Sequence, residues 1–274
     1  MLAAGSTNLP RVTPISGNAL VTGATGGIGQ AIARTLASAG ATVTLTGRRA
    51  EALEPLAAEV SGRAIVCDLS RRDDVDRLVQ EAGQVDLLVA NAALPGAAEL
   101  TDLTQEQIDE MLEVNLRAPI ALARAFVPAM VSRGRGHLVF ISSLNSKAAT
   151  PATSIYAAAK FGLRGFALCL REDLRPLGVG VSSVLPGFIR DAGMFAETKV
   201  ELPRGVGTRS PEDVAAGVVK AIEQNRAELE VAPLGLRLGA TFAGVAPDLA
   251  AAAARRLGST QVAFDMAEAQ RLRQ

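Results

Sequence analysis

Short apolar runs of strand length alternate along this chain with longer stretches in which apolar residues recur every three or four positions. The runs are rich in β-branched residues, and the longer stretches follow the 3.6-residue period of a helix with one apolar face. The pattern predicts seven strands, at residues 18–22, 41–46, 63–67, 85–90, 136–142, 180–185 and 228–232. It predicts helices at residues 27–39, 50–60, 71–82, 105–132, 155–177 and 211–224. Such alternation builds a parallel sheet with helices on both faces, so we expect an α/β fold with a doubly wound parallel sheet.

Two of the predicted helices carry start signals. Thr104 is followed three positions later by Gln107, which is the spacing of a capping box. Ser210 precedes Pro211 and Asp213, which places a capping hydroxyl, a first-turn proline and an acidic residue in favourable order. These signals support helices that begin near residues 105 and 211.

The first predicted strand passes into a helix through the glycine-dense turn Gly23-Ala24-Thr25-Gly26-Gly27-Ile28-Gly29. Glycines without side chains allow the backbone to approach a phosphate and the helix to pack close to the strand. The helix N-terminus then offers unpaired N–H groups and the positive end of a dipole to a pyrophosphate. Glycine clusters also occur in ordinary loops, but strand, turn and helix in this order predict a dinucleotide site.

Tyr156 is the sole tyrosine of the chain, and Lys160 follows it by four positions in an alanine-rich helical stretch. Positions i and i+4 share one helix face, so the phenol and the ammonium lie side by side. Proton transfer by tyrosine near neutral pH requires its pKa to fall by about 3 units, or roughly 4 kcal/mol, and an adjacent cation lowers it. Taken alone, the pair could equally be a surface tyrosine and lysine that share a helix face.

Ser143 ends a predicted strand, 13 positions before Tyr156 (156 − 143). The glycine turn, the Asn91-Ala92-Ala93 segment, Asn115, Ser143 and the Tyr156/Lys160 pair together resemble the short-chain dehydrogenase/reductase family over residues 15–235. The resemblance implies a Rossmann fold and hydride transfer between a nicotinamide and a carbonyl or secondary alcohol. Ser143 would hold the substrate oxygen, Tyr156 would transfer its proton, Lys160 would lower the tyrosine pKa and bind ribose, and Asn115 would support a proton relay.

The resemblance also implies a set of cofactor contacts. They comprise Gly23, Thr25, Gly27, Ile28, Gly29, Arg48, Asp68, Leu69, Asn91, Ala92, Tyr156, Lys160, Pro186, Gly187 and Ile189. Two positions depart from the family pattern. Ala93 replaces a usual glycine, and Asp191 stands where a threonine hydroxyl often contacts the cofactor.

The end of the second predicted strand bears on the choice of cofactor. An acidic residue there binds the ribose 2′-hydroxyl of NAD, whereas arginine accommodates the 2′-phosphate of NADP. Gly47 stands at the acidic position and Arg48 follows it. NADP is therefore favoured and NAD remains the alternative; Arg48 and Arg49 could also form a solvated turn that never touches cofactor.

The composition and net charge limit the kinds of binding partner that we expect. The chain has 274 residues, 49% of them apolar, and a formal net charge of zero, so we expect no nucleic-acid partner and no anionic membrane. Cys67 and Cys169 lie in apolar stretches and are predicted to be buried free thiols, which fits a cytoplasmic location. A single histidine and two distant cysteines predict no metal site.

The predicted organisation has three parts: a flexible N-terminal tail at 1–14, a single Rossmann-type catalytic domain at 15–234, and a mostly helical extension at 235–274. Residues 190–209 are predicted to be irregular and to form a mobile lid over the substrate. The extension is apolar and broken near Pro247. It could cover the substrate cleft, pack on another subunit or rest on a membrane; the first role weakly favours a bulky lipophilic substrate.

The helices at 105–132 and 155–177 carry more apolar positions than one sheet-facing stripe requires. They are Met111, Leu112, Leu116, Leu122, Phe126 and Met130 on the first, and Phe161, Leu163, Phe166, Leu168 and Leu170 on the second. Apolar side chains beyond those that face the sheet predict that another protein surface covers them. The family resemblance implies a homodimer or homotetramer paired through these helices.

Two other functional classes were weighed. A serine hydrolase is disfavoured because no Gly-x-Ser-x-Gly occurs and His137, the only histidine, is predicted to lie at the surface or edge of a strand. A nonenzymatic dinucleotide-binding sensor or scaffold on the same fold is the alternative to an enzyme. The presence of all four catalytic positions favours the enzyme.

Overall fold

The fold is organised around a sheet of seven parallel strands in the order β3-β2-β1-β4-β5-β6-β7. The computed structural model describes residues 15–203, 206–256 and 259–272, so the predicted tail at 1–14 lies outside the described residues. The strands are β1 (Gly17–Thr22), β2 (Ala41–Gly47), β3 (Arg63–Val66), β4 (Leu87–Ala90), β5 (Gly136–Ile141), β6 (Val179–Pro186) and β7 (Glu228–Val231). The doubly wound α/β fold predicted from the apolar pattern is confirmed.

The α-helices of the described residues fill the intervals between strands and continue beyond the last one. They are α1 (Gly27–Ser38), α2 (Ala50–Glu59), α3 (Arg72–Ala82), α4 (Gln105–Leu112), α5 (Ala118–Arg133), α6 (Ser154–Leu174), α7 (Gly193–Thr198), α8 (Pro211–Glu223), α9 (Leu234–Val245), α10 (Pro247–Arg256) and α11 (Ser259–Arg271). The predicted capping box forms at Thr104 with Gln107. Ser210 caps α8 as predicted, and its reciprocal bonds with Asp213 complete a second capping box that was not predicted. The break near Pro247 separates α9 from α10.

Two apolar layers cover the sheet. One layer packs α1, α2 and α8 against one face through residues such as Ile32, Leu53 and Val218. The other packs α3, α5 and α6 against the opposite face, with Phe140 at its centre. Burial on both faces explains why the central strands read as unbroken apolar runs.

A π-helical turn, Glu113–Arg117, joins α4 to α5, where a single regular helix was predicted. Such a turn inserts one extra residue and leaves backbone groups outside the regular ladder. The continuous helix Gln105–Arg133 is the one helix among the described residues long and apolar enough, by length and composition alone, to cross a membrane. Ala118, Leu122 and Met130 of this helix are buried against the sheet, so packing in the protein core accounts for its apolar character.

Four further expectations need correction. His137 was predicted at the surface but is fully buried within β5. Cys67 is buried as predicted, whereas Cys169 is exposed. The segment 190–209 contains the short helix α7 and so is not wholly irregular. Finally, several of the surplus apolar residues, including Met111, Leu122, Phe126, Met130 and Leu163, are covered by the chain itself.

Candidate active site

A cleft of about 680 Å³ opens at the carboxyl ends of β1 and β4. The order of the sheet reverses between these two strands, and in open α/β sheets ligands bind at such a switch point. All the predicted site residues line this cleft except Asn115, which is fully buried behind it. The chain therefore brings together residues that lie as far apart as 23 and 189 in the sequence.

The glycine turn fits closely against the end of β4. Gly23 has a φ of +65°, and a Cβ atom there would lie 2.7 Å from the Cα of Ala92. The Asn91 side chain secures the turn by donating to the carbonyl oxygen of Thr22 at 2.9 Å. The hydroxyl of Thr22 accepts hydrogen bonds from the backbone N–H groups of Asn91 and Ala92, each at 3.0 Å. Bare backbone is thus held at the cleft wall, which is what a closely approaching pyrophosphate requires.

Tyr156 and Lys160 project from α6 into the same cleft and are almost completely buried. The Nζ of Lys160 lies 5.6 Å from the centre of the Tyr156 ring and donates to the carbonyl oxygen of Ile141 at 2.9 Å. Burial lowers the pKa of Lys160 to about 8. Burial also raises the pKa of Tyr156 to about 12, while a hydrogen bond from Ser143 acts to lower it. In this structure, desolvation therefore outweighs the predicted lowering of the tyrosine pKa.

Ser143 follows β5 and faces Tyr156 across the cleft floor. Its Oγ accepts a hydrogen bond from the N–H of Asn145 at 3.1 Å and so keeps its own proton available for donation. Its backbone carbonyl accepts from the hydroxyl of Ser146 at 2.6 Å, which helps to fix the turn after the strand. A hydroxyl, a phenol and an ammonium are thereby assembled at one point.

Asn115 lies in the π-helical turn and holds the loop after β4. Its Oδ1 accepts from the N–H of Leu94 at 2.6 Å, and its Nδ2 donates to the carbonyl of the same residue at 3.0 Å. A side chain that satisfies both backbone groups of one residue acts as a two-point clamp. This contact accounts for an asparagine in a helix, where its intrinsic propensity is poor.

Comparison with known proteins agrees with this geometry. The family model for short chain dehydrogenases matches residues 17–202. The chain belongs to the short-chain dehydrogenase family. It is 34% identical over 221 residues, 77% of this chain and 77% of that protein, to the Nostoc sp. "Ketoacyl reductase HetN". It is 33% identical over 253 residues to "Dehydrogenase/reductase SDR family member 7B" of Xenopus laevis, covering 84% of this chain and 78% of the relative.

A solved structure is similar in fold as well. The crystal structure of a metagenomic short-chain oxidoreductase in complex with NADP superposes with a TM-score of 0.68 at 34% identity, covering 81% of this chain and 99% of that one. This short-chain dehydrogenase is therefore an oxidoreductase that uses a nicotinamide dinucleotide and acts on a small molecule. The nonenzymatic alternative is accordingly not supported.

The rim of the short-chain dehydrogenase cleft beside the end of β2 is basic. Arg48 is exposed at its rim, and Arg49 donates to the carbonyl oxygen of Thr25 at 3.2 Å. At Gly47 a Cβ atom would lie 2.9 Å from the Cγ2 of Thr25, so an acidic side chain at this position would collide with the glycine turn. The Asp68 side chain is hydrogen-bonded to a nearby residue. Its Oδ1 accepts from the N–H of Ser70 at 3.0 Å and from the hydroxyl of that residue.

The segment after β6, which was predicted to contact the nicotinamide, forms another wall of the cleft. Gly187 donates from its backbone to the carbonyl of Val231 at 3.0 Å, and Ile189 is buried. Asp191 has a φ of +68° and an exposed side chain that pairs with Arg190, so it does not replace the threonine hydroxyl of other family members. Ala93, the other departure from the family pattern, does not adopt a positive φ and is accommodated without strain.

Sequence reasoning missed several residues that shape the cleft. Thr22 secures the glycine turn, and Gly96 packs so closely on Tyr156 that a Cβ atom would lie 2.5 Å from the tyrosine Cβ. Helices α7 and α11 supply further lining residues, among them Phe195 and Met266. Thr22 begins the glycine-turn motif and Gly96 lies three residues after Ala93, but their contacts join distant segments and have no local signal.

Proposed function

We propose that this short-chain dehydrogenase interconverts a bulky lipophilic ketone and its secondary alcohol with NADP(H). The observation that carries the proposal is the convergence of Ser143, Tyr156 and Lys160 at the end of β5, beside a glycine-lined dinucleotide cleft. The bound nicotinamide would supply or accept hydride at its C4. Residues of this chain bind and orient the substrate and transfer the proton.

Each catalytic side chain has a distinct task. The hydroxyl of Ser143 donates to the substrate oxygen and holds the reacting carbon in place. Tyr156 gives its phenolic proton to that oxygen during reduction and recovers a proton during oxidation. The Lys160 ammonium stabilises the developing phenolate and would bind the ribose hydroxyls of the dinucleotide. The Asn115 side chain holds the loop at Leu94, and its backbone carbonyl would support a proton relay. The pKa of Tyr156, about 12, lies well above neutral pH, so the phenol carries the proton that it gives to the substrate oxygen during reduction.

The lining of the remaining cleft supports a lipophilic substrate. Beyond the dinucleotide positions, the described walls are predominantly apolar; they include Leu144, Ala148, Phe188, Met194, Phe195, Leu202, Val206, Leu236, Ala240, Val262 and Met266. Among the described lining residues of this part, Glu197 is the charged side chain other than Lys160. Among the described residues of this part, Lys160 is the cation available to an anionic substrate group, so a neutral apolar body fits the described lining best.

The basic rim supports NADP over NAD. Arg48 can pair with the 2′-phosphate through its guanidinium fork. Gly47 before it carries no acid for the ribose 2′-hydroxyl of NAD, and a side chain there would displace that of Thr25.

A panel of ketones and alcohols tests the proposal. Purified protein is mixed with NADPH or NADP⁺ and a graded series of linear, cyclic and bicyclic substrates, and the absorbance of the reduced nicotinamide is followed. Turnover of apolar ketones that is lost in Tyr156→Phe is the expected result. Turnover confined to charged substrates, or full activity of Tyr156→Phe, would contradict it.

We also propose a homodimer or homotetramer paired through the outer faces of α4, α5 and α6. Phe161 is 43% exposed on α6, and Cys169 is exposed on the same helix. These residues retain an uncovered apolar surface after the chain has buried the others. A monomeric mass by light scattering at micromolar protein concentration would contradict this assembly.

The cytoplasmic location stays a prediction for cell fractionation to check.

A further inference from the structure

The last helix of the chain forms one wall of the substrate cleft. Val262, Ala263, Met266 and Gln270 recur on one face of α11, and all four line the cleft. Val262 and Ala263 are buried, whereas Phe264 on another face of the helix is 41% exposed. The inner face of α11 is thus apolar except for the carboxamide of Gln270.

Gln270 makes a direct contact with the loop after β4. Its Oε1 accepts a hydrogen bond from the backbone N–H of Ala97 at 2.9 Å, across 173 positions of sequence. Ala97 is buried and follows Gly96, the residue packed on Tyr156. The contact therefore joins the end of the chain to the immediate surroundings of the catalytic tyrosine.

The loop does not depend on α11 for its own position. Asn115 clamps Leu94 at both backbone groups, and the N–H of Ala98 donates to the carbonyl of Ala152 at 2.8 Å. The loop is thus anchored on both sides of Ala97 without Gln270. The hydrogen bond from Ala97 to Gln270 therefore fixes the position of α11 and is not needed to hold the loop.

Other polar side chains described on α11 lie on its exposed side. Gln261 donates to Asp265 at 2.9 Å, and Arg271 pairs with Glu268, all on exposed positions of the same helix. These bonds lie within α11, and the negative charge of Asp102 acts on Arg271 from the catalytic domain at the exposed surface. The family model ends at residue 202, so this wall lies outside the part of the chain that the family model describes.

We propose that α11 is a specificity wall of the substrate cleft and that Gln270 holds it in place, which makes Gln270 a positioning residue for bulky lipophilic substrates. A large apolar substrate would rest against Val262 and Met266 and would lose that contact when the helix separates from the loop. A small substrate that reaches Tyr156 and Ser143 alone would depend on the wall much less. The inference rests on the proposed function for its substrate class.

The test compares matched variants of two glutamines on α11. Gln270→Leu keeps the side-chain size but cannot accept from Ala97, whereas Gln261→Leu makes the same change on the exposed face. Gln270→Glu keeps an acceptor oxygen and serves as the conservative rescue. Thermal melting and NADPH affinity of each variant check that the fold and the dinucleotide site are intact.

Kinetics with 2-butanone and 2-undecanone provide the first measurement. We expect Gln270→Leu to lower the ratio of kcat/KM for 2-undecanone over 2-butanone about tenfold, mainly through KM, which corresponds to about 1.4 kcal/mol. Gln261→Leu should keep the ratio of the natural protein, and Gln270→Glu should restore most of it. Equal ratios in Gln270→Leu and Gln261→Leu, or a tenfold loss that Gln270→Glu does not restore, would overturn the inference.

A second measurement does not require turnover. The affinity for Nile red, a neutral lipophilic dye, should be about fivefold weaker in Gln270→Leu than in Gln261→Leu. If the natural protein reduced no ketone of the series, the proposed function would fail, and the dye affinities would decide the role of Gln270 on their own. Equal dye affinities in the two variants would then overturn it.

Discussion

Arg48 provides the sharpest test of the dinucleotide preference. Its side chain is exposed at the rim of the cleft and makes no ion pair or hydrogen bond within the described part of the chain. Substitution by alanine therefore removes a ligand contact without breaking an internal one. The neighbouring Arg49 already donates to the carbonyl oxygen of Thr25, so it is less free to replace the lost guanidinium.

The size of the effect follows from the type of contact. Hydrogen bonds to charged groups contribute about 1.5–3 kcal/mol, and solvent screening at the exposed rim favours the lower half of that range. A loss of about 2 kcal/mol corresponds to roughly a 30-fold lower kcat/KM for NADPH. NADH has no 2′-phosphate, so its kcat/KM should change by less than about twofold.

Steady-state kinetics with both dinucleotides measure the effect for the natural protein, Arg48→Ala and Arg48→Asp. Arg135→Ala, which removes an exposed arginine in the turn after α5 and outside the cleft, is the matched control. Arg48→Asp should shift the preference toward NADH, because an acid at position 48 avoids the collision that Gly47→Asp would suffer with Thr25. Equal kcat/KM for NADPH and NADH in the natural protein, or an equal loss for both in Arg48→Ala, would refute the reasoning.

Three further predictions concern buried titratable groups. Tyr156→Phe should lower kcat by about 10²–10⁴ while fluorescence titration shows unchanged NADPH affinity, because it removes the proton donor and little packing. Reduction should slow as pH rises through about 8, where Lys160 loses the charge that stabilises the phenolate; Lys160→Arg should move that limb of the kcat profile to higher pH. His137, whose pKa burial lowers to about 3, leaves the unfolded state binding more protons below pH 6.5. The free energy of unfolding should therefore fall by up to about 1.4 kcal/mol per pH unit as pH drops from 6.5 toward 3, and His137→Phe should flatten this dependence in urea titrations.

The fold class and the catalytic motifs depend on residues that lie close together in the sequence, whereas the burial of His137 does not. The order of strands and helices follows from apolar periodicity, and Thr104 and Ser210 begin helices through contacts three residues away. The glycine turn and the Tyr156/Lys160 pair also carry their chemistry within a few positions. Such features depend on neighbours in sequence, so the sequence by itself determined the fold class and the candidate dinucleotide and catalytic motifs.

Tertiary packing decided the features that depend on distant segments. The sole histidine is buried because β5 lies at the centre of the sheet, and Cys169 is exposed because it projects from the outer side of α6. The π-helical turn at Asn115 and the bond between Gln270 and Ala97 satisfy backbone groups of a loop that lies far from both residues in sequence. The pKa of Tyr156 rises because burial removes water from the phenol, and burial is a property of the assembled fold. Local pattern thus specified which groups this oxidoreductase carries, and long-range packing determined how they are solvated and what encloses the substrate.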